Sequence, residues 1–316
     1  MRHLDKSRST LDRAPTLVGV WLALGYTVPH AVLLVGAVRH TDVPLGVWLG
    51  DLLALAVWGS LVARIGPMRS LAARNTVARA ALLWGPVAYF LWCYKWSGWT
   101  LHAVFPPEFT VDEALIAFER LFGQPSLWLA RGQSRTTTET LQAFYASYYL
   151  YTPVIGIYLY ARRRYADFEE MTCAILIGYA VSYVVFALVP LWGPRWALVD
   201  FGLLPIGERR LDGYAVTRWI NRIQWDGMAL KGGAMPSSHT STGVVFLVWC
   251  WRLWGRRGGI PATIVVAGMA VGAVYGRYHY VTDVVVGGLL AYAGMIVASR
   301  WVGRPPESGS TEGEFS

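Results

Sequence analysis

Along most of its length the chain alternates between apolar runs of about twenty residues and short segments where its charge is gathered. Apolar runs at about 16–38, 45–65, 77–97, 139–161, 169–191, 240–254, 260–280 and 282–301 predict about eight helices, because a helix of roughly 20 residues spans the hydrocarbon core of a bilayer. The predicted fold class is all-α, a polytopic membrane helix bundle. One segment breaks the pattern. Residues 98–137 contain Pro106 and Pro107, then Asp112, Glu113 and Glu119, with Leu115, Phe118 and Phe122 at helical spacing. That periodicity predicts an amphipathic helix at the membrane surface with its acidic residues on a solvated face.

The positions of the cations order these runs. Arg2, Lys6, Arg8 and Arg13 precede the first run, and Arg64, Arg69, Arg74 and Arg79 follow the second. Arg162, Arg163 and Arg164, then Arg252, Arg256 and Arg257, then Arg300 and Arg304 recur in alternate loops. Under the positive-inside rule these loops and both termini are cytoplasmic, which puts 192–239 and 277–283 together on the outer face. The expected organisation is a cytoplasmic tail over 1–14, an N-terminal transmembrane hairpin over 15–75, a membrane domain over 76–302 and a disordered tail over 303–316.

Composition agrees with a membrane protein, at 54% hydrophobic, 14% aromatic and only 15% charged. A net charge of +8 raises the question of nucleic acid, but clustering between apolar runs assigns it to topology and anionic lipid, so no nucleic-acid partner is expected. The first run is full length with no small-residue cleavage site after it, and reads as a retained span. Cys93, Cys173 and Cys250 lie inside apolar runs without metal-type spacing and read as small buried hydrophobes. A transporter built on inverted repeats would show matching interrupted helices in two halves, and no such pair is visible.

Candidate chemistry collects on the outer face. His279 and Asp283 are one helical turn apart, so the carboxylate can hold one imidazole nitrogen and leave the other as nucleophile or base. Pro236-Ser237-Ser238-His239 ends a Gly-containing loop and opens a helix. Backbone amides there bind anions, and His239 can protonate a leaving group. Arg195, Lys231 and Arg277 are cations of the same surface. Two histidines and an aspartate could also hold a metal, but the surrounding cations favour an anion, and neither metal nor cofactor is expected.

Pro-Ser-Ser-His followed one helical hairpin later by His-x-x-x-Asp resembles the second and third motifs of the type-2 phosphatidic acid phosphatase superfamily, whose diverged branches include inositol phosphorylceramide synthases. The resemblance implies a six-helix phosphatase-like core and a lipid phosphate or diphosphate substrate. It also implies a phosphohistidine on His279 oriented by Asp283, His239 as general acid, and Ser237 with the Ser238 amide in the phosphate cradle. Water as acceptor makes the chain a phosphatase; a small alcohol or lipid acceptor makes it a head-group phosphotransferase. Departures are visible. Ser238 stands where the family has glycine, Ala273 where it has the arginine of its third motif, and the first motif is absent as such. Arg195, in Gly193-Pro194-Arg195, and Lys231 are its candidate replacements. A non-enzymatic lipid-binding or transport protein using the same cationic pocket is the alternative from a different class.

Two more ionisable residues fall inside the first hairpin. His30 and Asp51 lie at similar depth, roughly 10 Å from the outer ends of their runs by helical rise, and are expected to pair as a structural link. Trp92, Trp96, Trp99, Trp192 and Trp196 read as an interfacial aromatic belt.

Overall fold

The computed structural model describes residues 15–129, 134–223 and 230–302; the expected tails 1–14 and 303–316 lie outside the described residues. In chain order the helices are α1 (Val18–Ala37), α2 (Leu45–Ala63), α3 (Ile65–Arg74), α4 (Thr76–Trp96), α5 (Asp112–Arg120), the single turn α6 (Pro125–Trp128) and α7 (Arg135–Ala146). They continue as α8 (Tyr148–Ala161), α9 (Tyr165–Leu188), α10 (Pro194–Asp200), α11 (Ala215–Asn221), α12 (Ser238–Tyr275) and α13 (Val281–Trp301). The described residues contain no strand, only isolated bridges from Leu191 to Gly232 and Gly233. The fold is an all-α membrane bundle, as the apolar pattern predicted.

Six of the described helices are long and apolar enough to cross a membrane: α1, α2, α4, α9, α12 and α13. The two remaining predicted runs are accounted for by a hairpin and an interruption. At 38 residues, α12 would be about 57 Å long if straight, nearly twice the bilayer core. It is not straight. Gly255 has φ 54° and ψ −139°, a conformation reserved for glycine. A Cβ added to Gly243 would stand 2.6 Å from Met269 Cε, and Trp251 Nε1 donates to Thr263 Oγ1 at 3.3 Å. Residues before and after Gly255 therefore pack on each other as the arms of a hairpin, matching the predicted runs 240–254 and 260–280. The predicted run 139–161 is divided at Ser147 into α7 and α8. Pro153, within α8, cannot return an N–H to the preceding turn.

Helix α9 is the centre of the bundle: 67% of its apolar window is buried, against 11% for α2, which is peripheral. Phe168, Met171, Leu176, Tyr183 and Phe186 of α9 pack among buried residues of α1, α4 and α12 in one continuous core. In a bilayer such contacts stabilise by close packing rather than by removing apolar surface from water. Close packing needs small residues where backbones meet. A Cβ on Gly287 of α13 would lie 2.4 Å from the Ser237 carbonyl oxygen, so this glycine sets how near α13 comes to the start of α12.

The basic loops gather at one end. Arg252 Nη1 meets the buried Glu170 Oε1 at 2.7 Å, Arg79 Nη1 donates to Tyr165 OH at 3.0 Å, and Arg69 Nη2 donates to the Thr16 carbonyl at 2.8 Å. Near the opposite end, His30 Nδ1 and Asp51 Oδ2 are 2.8 Å apart and buried, so the expected pair forms. It has a third member. Trp96 Nε1 donates to Asp51 Oδ1 at 3.0 Å, so Trp96, expected only as an interfacial aromatic, ties α4 to the first hairpin.

Candidate active site

The site is assembled where α12 begins, where its second arm ends and where α13 begins. Ser237 is the N-cap of α12 and is fully buried; its Oγ accepts from the Thr240 amide at 3.3 Å and its own amide donates to the Asp283 carbonyl at 3.1 Å. This cap turns Ser238 and His239, in the first helical turn, toward a cavity. At the far end of α12, Arg277 adopts φ 57°, and the Tyr278 amide returns to the Ala273 carbonyl at 3.0 Å. This left-handed helix ending reverses the chain and delivers His279 to the same cavity.

His279 Nδ1 lies 2.8 Å from the Ala234 carbonyl oxygen and 3.6 Å from Asp283 Oδ2. The backbone carbonyl is the nearer partner, and Ala234 is itself fixed by donating its amide to the Leu191 carbonyl at 3.2 Å. Asp283 accepts from the Tyr280 amide at 2.8 Å and so caps α13 beneath the histidine. These contacts assign protons. A carbonyl only accepts, so Nδ1 of His279 carries its hydrogen and, with the ring neutral, Nε2 presents a lone pair. His239 Nδ1 is 3.2 Å from that Nε2 and must therefore donate to it. His239 Nε2 is then an acceptor, and Tyr145 OH stands 3.1 Å away to supply the hydrogen.

Arg195 opens α10 and is 6% exposed. Its amide donates to the Arg277 carbonyl at 2.9 Å, and its guanidinium carbon lies 4.3 Å from the centre of the Tyr278 ring. Tyr278 is held in turn by its hydroxyl bond to Gln142 Oε1 at 2.7 Å and by stacking on Tyr145 at 4.4 Å. Burial lowers the Arg195 pKa, an effect that Tyr278, Tyr145 and Tyr94 oppose; burial likewise pushes the Tyr278 hydroxyl up to about 12. A desolvated guanidinium beside two imidazoles favours an anion. Arg195, Ser238, His239 and His279 share the walls of a cavity of about 30 Å³, room for about one water. A phosphate has to part the two rings to enter.

The other expected residues stand apart from this cavity. Lys231 Nζ is 2.9 Å from Asp200 Oδ2 and 3.6 Å from the centre of the Trp192 ring, and does not line the cavity. The Arg277 side chain is buried outside the cavity walls. The Ser237 hydroxyl is occupied as a helix cap.

The surface segment requires a correction. Asp112 and Glu119 were expected on a solvated face of α5, yet both are fully buried, whereas Glu113 is exposed. Asp112 accepts from the Trp192 amide at 2.6 Å, the Gly193 amide at 3.1 Å and Tyr280 OH at 2.7 Å, and is also bonded to Thr110 Oγ1. It thereby fastens the turn before Arg195 to the residue after His279. Glu119 Oε1 accepts from the Thr282 amide at 2.9 Å, adding a cap to α13. Burial raises both carboxyl pKa values, and these bonds draw them back down. Helix α5 buries Ile116 beside Asp112 and Glu119 and leaves Glu113 and Phe118 exposed, so its inward face is both apolar and acidic. Sequence reasoning also missed Tyr145, Tyr278 and Ala234. The aromatic pair carried a faint signal, since Tyr278 flanks His279, but a backbone carbonyl partner leaves none.

A model of the PAP2 superfamily matches residues 113–297. No curated protein and no solved structure matches the chain. The matched region runs from α5 almost to the end of α13, contains Pro236–His239 and His279–Asp283, and covers more than half of the protein. The chain belongs to the PAP2 superfamily.

Proposed function

We propose that this integral membrane protein is a lipid phosphate or diphosphate phosphatase working through a phosphohistidine on His279. Membership of the superfamily supports a phosphatase acting on lipid phosphates. The observation that carries the finer reading is the ordered proton chain from Tyr145 through His239 to His279, beside the buried guanidinium of Arg195.

In the proposed reaction the phosphate displaces His239 from His279 Nε2, whose lone pair attacks phosphorus while the bond to the lipid oxygen breaks. His239, protonated on both nitrogens when the phosphate binds beside it, gives its Nδ1 hydrogen to that departing oxygen and is left as a neutral imidazole, its Nε2 hydrogen held by the Tyr145 oxygen. Arg195 and the amides of the first turn of α12 stabilise charge on the equatorial oxygens. Water then gives a proton to His239 and attacks phosphorus, the P–N bond breaks, and phosphate leaves with His279 neutral again. Asp283 and Ala234 keep the nucleophile oriented throughout. Arg277, Lys231 and Ser237 contribute by holding backbone and loop around the phosphate. The basic loops at the opposite end of the bundle support a cytoplasmic position for that end and an outer position for the site.

Purified protein in detergent with EDTA, given a panel of lipid phosphates and diphosphates with and without alcohol acceptors, tests this reading. Phosphate release that survives EDTA, is inhibited by vanadate and is lost in His279→Ala is expected. Phosphate appearing only on an added alcohol would make the chain a phosphotransferase. Lipid binding without turnover, unaffected by His279→Ala, would return it to the non-enzymatic class.

A further inference from the structure

A second and much larger cavity, about 440 Å³, meets the histidine site at Tyr94, Ser238 and His239 and runs from there into the membrane-spanning part of the bundle between α4, α8 and α9. Its floor is made by the buried Tyr179 and Tyr183 of α9, and its side by Val87 of α4 and Thr152 of α8. Ala88 and Leu91 of α4 form the rim and are exposed on the bundle surface, so the opening faces the surrounding hydrocarbon. The volume lies in the lower half of the roughly 300–1,000 Å³ typical of pockets that enclose one small molecule. That is room for one hydrocarbon chain rather than a pair.

The wall from α4 has a particular standing. Helix α4 ends at Trp96, and the superfamily match begins at residue 113. The helix is also locked in place at that end, because Trp96 donates to Asp51 and so joins α4 to α2. One face of the large cavity is therefore built by a helix that precedes the matched residues 113–297.

Resting on the phosphatase reading for the identity of the head group, we infer that this cavity takes one hydrocarbon chain of the lipid substrate laterally from the bilayer, and that α4 decides which chains are accepted. Chain selectivity then resides at Val87, Ala88 and Leu91, while the phosphate chemistry resides at the histidines. A chain entering from lipid leaves no water behind, so the apolar lining gains little by desolvation. Shape and packing must therefore discriminate, and a bulky residue at the rim should exclude long or branched chains first.

The test compares single-chain alkyl phosphates of graded length in mixed micelles, using the parent protein, Ala88→Trp, and Leu289→Trp as a control on the exposed face of α13. Ala88→Trp should lower the ratio of kcat/KM for the longest chain to that for the shortest by tenfold or more, and Leu289→Trp should leave the ratio unchanged. An unchanged ratio in a folded, active Ala88→Trp protein overturns the inference without touching the phosphatase reading. A long alkyl phosphate with a terminal diazirine supplies a readout that needs no turnover. Photolabelling of α4, α8 or α9 near the cavity, in His279→Ala as in the parent, is expected. Labels confined to other helices overturn the inference even if no substrate is cleaved.

Discussion

At the scale of single residues, the site depends on hydrogen bonds whose loss leaves buried groups without partners. Asp112 satisfies the amides of Trp192 and Gly193 and the hydroxyl of Tyr280 in a fully buried place. Leaving each such group unpaired costs about 1–3 kcal/mol, so Asp112→Ala should lower stability by about 3 kcal/mol or more. Because the turn before Arg195 is released with it, activity should fall as well. Thermal unfolding in detergent together with a turnover assay checks this; an Asp112→Ala protein as stable as the parent would remove the fastening role. Tyr145 allows a finer test. Tyr145→Phe keeps the ring stacked on Tyr278 but removes the hydrogen that fixes the His239 tautomer. We expect kcat to fall roughly tenfold or more, less than the roughly 10²–10⁴-fold worth of general acid–base catalysis because His239 itself remains, with little change in melting temperature and an altered pH profile of kcat. A shift in melting temperature with an unchanged profile would make Tyr145 a packing residue. That His279, Asp283 and His239 come together was legible in the sequence, from a four-residue spacing and a Pro-Ser-Ser start to a helix, while their roles rested on the resemblance. Asp112 was not legible. Its partners are backbone amides some eighty positions away in the chain, and an acidic residue on a short amphipathic helix looks the same whether its face meets water or protein.

At the scale of elements, two glycines decide geometry for different reasons. No atom lies within 4 Å of a Cβ on Gly255, so space is not its constraint. Its backbone is, since φ 54° with ψ −139° is closed to other residues at a cost of about 1–3 kcal/mol. Gly255→Ala should lower the melting temperature by several degrees while leaving KM near that of the parent, because the turn lies at the end of the bundle away from the histidines. Gly287 is the opposite case. Gly287→Ala has to push the α12 start away from α13 to relieve a 2.4 Å contact with the Ser237 carbonyl, and it should reduce turnover more than stability. Reversal of that order in paired melting and kinetic measurements would refute the assignment of the two roles. The hairpin in α12 was legible because Arg252, Arg256 and Arg257 sit between two apolar runs. The division at Ser147 was not, since hydrophobicity runs on without interruption through Tyr148-Tyr149-Leu150-Tyr151.

At the scale of the whole molecule, the N-terminal helices and the site-bearing helices share one core, and the His30–Asp51–Trp96 cluster is the polar fastening between α1, α2 and α4. Apolar runs and the depth of two ionisable residues were enough to foresee the pair. The third member was hidden because a tryptophan near a span end reads equally well as an interfacial anchor. Removing one partner of a buried hydrogen-bonded pair leaves the other unsatisfied, at a cost of about 1–3 kcal/mol, more for a carboxylate. His30→Ala should therefore melt well below the parent, and His30→Ala with Asp51→Ala should recover part of the loss, because the double change strands no charge. Through Trp96 the fastening also sets where α4 stands against the large cavity, so His30→Ala should alter the preference among alkyl chain lengths more than it alters turnover of the shortest phosphate. Melting curves and the chain-length series, measured on the same preparations, separate this from a role in proton movement. A His30→Ala protein that melts like the parent yet fails to turn over any phosphate would show that the buried imidazole serves the reaction instead of the architecture.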